Sequence, residues 1–432
     1  MSATQHIAVL GAGPAGAAVA IGLIRLGYRV SVLSEMHRFE AIEGSSMRVL
    51  DGLRHAGLVQ AAATAMEPTP RLVEWNGVRR TPNAEHLLDR RRFDLALLSD
   101  LTAAGVEVCQ ARVQSVRKVD AQYDIQVESS DGVSNVRCDF LVEARGRLAP
   151  QDGRRERGPE TLSLLHQWRG QGGPVGSAVE SLPDGWAWMA RLPDGRCYWQ
   201  WTLDVGSTTL PPRAELDRFC DARRTRGLTA EFFGADAGLP ATVFARNSTA
   251  ILSAESGSDR WLRVGDAAMA VDPLSGNGIF QSLSSALQAP AVIHTLLSDP
   301  EHAELALRFH RDRIAHLFQR FARIGRDFYA MEERWAELPF WAIRRQWPQQ
   351  AADSEVVERA VVRKAAVLAG DRIREAEVVV TPEHPMGIWH LDGIEVAPLV
   401  RSLQQDPKAP VLDQVPPSHR PMVQAWLAQQ GF

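Results

Sequence analysis

Apolar and polar positions alternate with two different periods along the chain, and the changes of period mark its elements. Residues 6–10 (HIAVL) form a short apolar run that predicts a strand buried on both faces. Residues 11–16 (GAGPAG) break the run, and residues 17–26 follow as a helix of small and apolar side chains that Gly27 ends. Residues 29–33 (RVSVL) then read as the next strand. A second apolar run at 261–264 leads through Gly265 and Asp266 to a loop at 273–278 and a helix from about Ile279. Between these segments, residues 161–205 alternate with period two and carry Trp168, Trp186, Trp188, Trp199 and Trp201. Pro183-Asp184-Gly185 and Pro193-Asp194-Gly195 are hairpin turns within that stretch. Residues 301–334 return to a helical stripe of Ile314, Leu317, Phe321, Ile324 and Phe328. Beyond it, 375–381 (EAEVVVT) and 387–391 (GIWHL) read as paired strands, and the chain ends in a short helix carrying Met422, Trp426 and Leu427.

The first strand, turn and helix define a phosphate site. Gly11 permits the tight turn, and Gly13 lets the backbone approach a pyrophosphate. Gly16 lets helix and strand pack closely. With Ala12, Pro14 and Ala15 they make a helix N-terminus whose N–H groups and dipole favour an anion. The acid that ends the second strand in such units is displaced: Ser34 stands in its place and Glu35 follows. Either Glu35 substitutes through a shifted strand end, or Ser34 makes the ribose hydrogen bond. The second segment puts Asp266 in reach of a ribitol hydroxyl. It aims the N–H groups of Gly276, Asn277 and Gly278 at the pole of a flavin ring where negative charge gathers.

Composition removes alternatives. A chain of 432 residues, 45% hydrophobic, suits two or three domains, and a net charge of -4 gives no case for nucleic acid. Cys109, Cys138, Cys197 and Cys220 are scattered without ligand spacing, so no metal is expected. The run 7–24 is broken by glycines and lacks a basic flank. No other run is long enough to span a bilayer, so a soluble, cytoplasmic protein without a membrane partner is expected.

The run LRVGDAAMAVDPLSGNGI at 262–279, which includes Gly265, Pro273 and Ile279, resembles the second FAD motif of the p-hydroxybenzoate-hydroxylase-like superfamily. That superfamily holds aromatic hydroxylases, geranylgeranyl reductases and flavin-dependent tryptophan halogenases. Leu88–Asp94 (LDRRRFD) resembles its DRxxFD helix start, which implies that Arg90 lies along the FAD. The implied fold is α/β: a Rossmann-like FAD-binding domain (1–160 with 250–330), an interleaved β-sheet domain covering the flavin (161–249), and a small C-terminal α/β extension (331–432). The extension either docks a partner or caps the core. Where the family has a D-G motif after a central strand, this chain has Ala144-Arg145-Gly146-Arg147 after 138–143, which leaves the route of flavin reduction open.

Gly185-Trp186-Ala187-Trp188 resembles the halogenases' GWxW segment, so Trp186 and Trp188, on one side of a strand, either pack the sheet or wall the substrate pocket. A lysine-dependent halogenase is excluded, because no lysine precedes Lys118 and the permanently charged, weakly nucleophilic arginine cannot replace it. Glu333–Arg344 (ERWAELPFWAIR) is similar to the tail of the flavoproteins that mature tryptophylquinone cofactors, the LodB, GoxB and QhpG families. This resemblance implies an FAD-dependent monooxygenase acting through a C4a-hydroperoxyflavin. Its reductant is NAD(P)H or reduced flavin, its oxidant O2, and its substrate a tryptophan side chain in a partner protein, with other maturation proteins as possible partners. Two other readings stand beside it: a small-molecule aromatic hydroxylase or prenyl reductase, and a flavin-bound maturation chaperone without turnover. His37 and His166 are the candidate bases, and neither is assigned a catalytic role.

Overall fold

The structure is a computed structural model that describes residues 5–35, 40–150, 155–276, 278–349 and 359–432. Contacts divide the chain into two compact units, Met1–Pro290 with Leu317–Gln349, and Ala291–His316 with Gln350–Phe432.

The first unit is built on a six-stranded sheet in the order Gly257–Ser258, Trp261–Arg263, Phe140–Glu143, His6–Leu10, Arg29–Ser34, Glu107–Gln110. Every pairing except the outermost Gly257–Ser258 one is parallel, with Val9 opposite Val142 on one side and Val32 on the other. Ile7 to Leu10 are fully buried, as expected of a central parallel strand covered on both faces. An antiparallel meander of Arg112–Val119, Gln122–Ser129 and Gly132–Cys138 closes one face, packing Tyr123, Ile125 and Val127 against Ala8, Leu10 and Leu33.

An eight-stranded sheet forms the other half of the unit. Its order is Thr242–Asn247, Thr161–Arg169, Arg196–Asp204, Gly185–Arg191, Gly176–Leu182, Thr69–Trp75, Val78–Asp89, Ile42–Ser45. The expected sheet at 161–249 therefore extends into residues 42–89, and the joining pair, Gly176–Leu182 with Thr69–Trp75, is parallel. Alternation sorts its tryptophans. Trp168, Trp199 and Trp201 point into a core completed by Cys220, Leu228 and Phe233 of the helices Leu216–Arg224 and Gly227–Phe233. Trp186 and Trp188 point to the opposite face, with Tyr329, Phe340 and Trp341.

The long helix is Ala303–Ala330, and Ile314, Leu317 and Phe321 are buried as its stripe requires. Phe328 departs from the expected stripe: it is exposed, and its neighbour Tyr329 turns inward instead. In the second unit, Arg372–Val380 pairs along its whole length with Val361–Ala369, not with residues 387–391. Only a single bridge joins Val379 to Ile388. The expected terminal helix is Arg420–Gln429, and its Val423 and Leu427 pack with Val379, Val396 and Val400.

Candidate active site

The first turn is shaped by what its glycines exclude. Gly11 has φ +109°, and a Cβ there would lie 2.5 Å from the Ala144 carbonyl oxygen. A Cβ on Gly16 would lie 1.9 Å from the carbonyl oxygen of Gly11. Gly13 is different: its φ is -67°, and a Cβ would meet nothing within 4 Å. The helix Pro14–Arg25 starts there with no side-chain cap and no acid in its first turn. Its first N–H groups thus face open space, and the dipole is unopposed. Ser34 ends the second strand and accepts the Ala12 N–H at 3.2 Å, while Glu35 is exposed beyond the strand. Of the two alternatives, Ser34 is the residue joined to the turn.

The second motif meets the first. Gly265 has φ +59°, donates its N–H to Ser285 Oγ at 2.8 Å, and stands so close to the helix that a Cβ would lie 2.6 Å from that of Ala15. Asp266 accepts the Ser282 hydroxyl at 3.1 Å and lies 3.6 Å from the Arg147 guanidinium. Burial raises its carboxyl above the ordinary range, against the pull of Arg147. Arg147 is itself held by the carbonyls of Thr249 and, at 3.1 Å, Val271. Arg145 folds back on buried Glu143 at 2.5 Å, so the arginine that departs from the D-G pattern is neutralised within its own turn.

Pro273 opens a one-turn helix, Pro273–Ser275, capped by Asp272 through the Leu274 N–H at 2.9 Å. Gly276 follows at φ +61°, and the helix Gly278–Ala286 begins with Ile279 buried. A Cβ on Gly276 or Gly278 would meet nothing within 4 Å. Asn277 and His37 lie outside the described residues. Arg90 starts the helix Arg90–Ala103 and pairs with Glu43 at 2.6 Å and Asp94 at 2.9 Å. Burial works to raise Glu43, but the charges of Arg90 and Arg246 outweigh it and hold the carboxyl below its usual range.

Both candidate wall tryptophans give their indole N–H to an oxygen. Trp186 donates to Tyr329 Oη at 3.3 Å, and the Tyr329 hydroxyl donates to Asp272 at 2.9 Å. Trp188 donates to Glu85 at 3.3 Å. His166 is fully buried on the opposite side of the sheet, edge-on to Trp199 and with neither ring nitrogen hydrogen-bonded, which removes it as a base. The tail motif packs behind the wall. Trp341 is buried and donates to the Leu182 carbonyl at 3.0 Å; Arg344 is buried on Asp204 at 3.1 Å and Thr161 at 2.7 Å. Glu332, not Glu333, is the acid that matters there: it is fully buried and binds Arg334 at 2.9 Å and Ser181 at 2.6 Å. Asp272, Tyr329, Glu85, Glu43 and Glu332 had escaped sequence reasoning; only the Asp272-Pro273 turn carried a local signal.

A parallel nucleotide sheet, two touching glycine motifs and an aromatic-walled antiparallel sheet define a flavoprotein of the hydroxylase and halogenase superfamily. No family model matches the chain. It is similar to the solved structure of the peptidyl tryptophan dihydroxylase QhpG, essential for tryptophylquinone cofactor biogenesis, with 54% identity over 100% of each chain and a TM-score of 0.89. The putative FAD-dependent oxidoreductase LodB of Marinomonas mediterranea is 24% identical over 378 residues, 78% of this chain and 95% of that one. A tryptophan 2-halogenase of Chondromyces crocatus is 26% identical over 387 residues, 80% and 71% of the two chains. The halogenase CmlS shares the fold, with a TM-score of 0.76 over 98% and 95% of the chains at 16% identity. The chain belongs to the QhpG family of FAD-dependent monooxygenases. Among the described residues no helix is long and apolar enough to cross a membrane.

Proposed function

We propose that this protein hydroxylates a tryptophan side chain within a partner polypeptide, preparing it to become a tryptophylquinone cofactor. The observation that carries the reading is the 54% identity to QhpG across the full length of both chains. The residues present fit FAD: the helix N-terminus at Gly13 is uncapped, free of acids and open where a Cβ would intrude on a ligand.

In this reading the N–H groups of Gly13, Ala15 and Gly16 bind the pyrophosphate, and Ser34 takes an adenosine ribose hydroxyl. Asp266 takes a ribitol hydroxyl, and Arg90 lies along the cofactor. The open backbone at Gly276 and Gly278 faces the isoalloxazine ring. Bound FAD supplies oxygen activation, at the expense of O2 and an external reductant, NAD(P)H or reduced flavin. Trp186 and Trp188 orient the incoming indole, and the aromatic layer of Tyr329, Phe340 and Trp341 behind Trp186 excludes water. The site works on a soluble polypeptide in the cytoplasm, in concert with other maturation proteins. Intact mass of a tryptophan-bearing partner polypeptide, incubated with the flavoprotein, reductant and air, tests the reading. A gain of about 16 or 32 Da is expected, one or two oxygen atoms, and an unchanged mass refutes it.

A further inference from the structure

The carboxylates near the wall are mostly committed. Glu85 receives the Trp188 N–H at 3.3 Å and lies 3.8 Å from Arg71. Glu43 pairs with Arg90 at 2.6 Å, and Asp266 faces Arg147 at 3.6 Å. Asp272 is different. One oxygen, Oδ1, receives both of its donors, the Leu274 N–H at 2.9 Å and the Tyr329 hydroxyl at 2.9 Å. Among the described residues Oδ2 carries no hydrogen bond. Asp272 stands at the start of the loop read as facing the flavin ring, and through Tyr329 it is tied to Trp186 in the wall. Carboxylate, loop and wall are therefore held as one array drawn from three elements.

We propose that Asp272 is the proton acceptor of the hydroxylation, taking the ring hydrogen from the attacked carbon of the substrate indole. The inference rests on the functional reading above. Oxygen transfer leaves that carbon bearing both its hydrogen and the new oxygen. The C–H bond then breaks, its electron pair returns to the ring, and the proton passes to Oδ2. The O2 and reductant already consumed by the monooxygenase reaction supply the oxygen and electrons, and the carboxylic acid returns its proton to solvent. Among the described residues the other candidate bases are spent: His166 is sealed in the core, and Glu85 is engaged by Trp188 and faces Arg71. Burial lifts the Asp272 carboxyl above the ordinary range, with Arg344 and Arg147 opposing, and a carboxylate so placed is a stronger base. Tyr329 is a positioning residue. Burial pushes its phenol well above the ordinary range, so it stays protonated and donates to Asp272.

Asp272→Asn tests this, because an amide oxygen keeps the Leu274 cap and the Tyr329 bond while losing basicity. FAD affinity is expected to be unchanged, while the hydroxylation rate falls by roughly a hundredfold or more. A primary isotope effect with ring-deuterated tryptophan is expected to emerge as proton loss becomes slow. A carboxyl infrared band titrating in the cofactor-free protein is expected to vanish in Asp272→Asn. It should shift to higher pH in Tyr329→Phe, which withdraws a hydrogen bond from the ionised form. Wild-type rate without an isotope effect in Asp272→Asn overturns the assignment and leaves peptidyl hydroxylation standing. If Asp272→Asn does not retain FAD, Tyr329→Phe decides: an acid limb moved to higher pH supports the base, and an unmoved limb overturns it. Wild-type protein that never adds oxygen to a polypeptide overturns the functional reading and this assignment together.

Discussion

Gly13→Ala separates the fold from the cofactor site. The backbone at Gly13 has φ -67° and ψ 178°, which alanine adopts without strain, and a Cβ would meet nothing within 4 Å. The folded chain therefore loses no contact. Replacing glycine at a compatible site stabilises by about 0.4–1 kcal/mol through the unfolded state. The same methyl stands where the pyrophosphate must approach the helix N–H groups. Losing one or two charge-assisted hydrogen bonds, at about 1.5–3 kcal/mol each, amounts to about 3 kcal/mol, roughly a hundredfold in affinity. At an FAD concentration of about 100 times the wild-type Kd, binding stabilises the wild type by about 2.7 kcal/mol and the variant by only about 0.4 kcal/mol. The assay is denaturant unfolding of cofactor-free and FAD-loaded protein, with Kd from flavin fluorescence. The variant should unfold like the wild type, or later, without FAD and gain almost nothing from it. Wild-type FAD affinity in Gly13→Ala would refute the placement of the pyrophosphate. Gly16→Ala is the contrasting control, since its Cβ would sit 1.9 Å from a backbone carbonyl and the fold itself should fail.

Three further outcomes are expected. Burial holds His166 neutral, its pKa lowered to about 3, and Arg224 adds to the shift. The unfolded chain takes up this proton near pH 6.5 and the folded chain does not, so stability falls as pH drops below that value. About 2 kcal/mol should be lost between pH 7 and pH 5 by the wild type but not by His166→Leu, read from urea unfolding at each pH; equal losses would contradict the neutral burial. Arg344→Met strips Asp204 of its cation and should cost about 3 kcal/mol in the same assay, with Arg344→Lys recovering only part because an ammonium cannot bridge the same set of oxygens. Bromide or chloride in the reaction should yield no halogenated product, for want of an early lysine; halogenated tryptophan in the product would undo that exclusion.

The glycine motifs were legible because each answers a local demand: a positive φ at Gly11, a backbone approach at Gly16. The period of two put Trp186 and Trp188 on one side of their strand; only the pairing, with Trp186 opposite Thr202 and Trp188 opposite Gln200, shows that Trp199 and Trp201 face the other way. What escaped was nonlocal. Nothing near Tyr329 in the chain announces that its hydroxyl meets Asp272, and the shift from Phe328 to Tyr329 on the buried side reflects what packs there, Trp341 and Phe340, not the helix's own period. Glu332 was passed over for Glu333 because both precede Arg334, and only the fold shows which one Ser181 and Asn76 surround. The hairpin strand Val361–Ala369 was missed because the adjacent Arg363 and Lys364, which point to opposite faces, and the alanines that follow at 365 and 366 leave no clear alternation of apolar and polar positions. Strands Thr69–Trp75 and Val78–Asp89 enter the large sheet through a parallel pairing to residues more than a hundred positions away, which no local signal marks.

The most direct measurement of the central claim is oxygen-18 incorporation into a tryptophan-bearing partner polypeptide, with labelled O2 in unlabelled water and the product mapped by peptide fragmentation. The account predicts label from O2 on the indole ring of a single tryptophan, dependent on FAD and reductant. Label absent from the polypeptide, with reductant consumed and the oxygen released as peroxide, would contradict it.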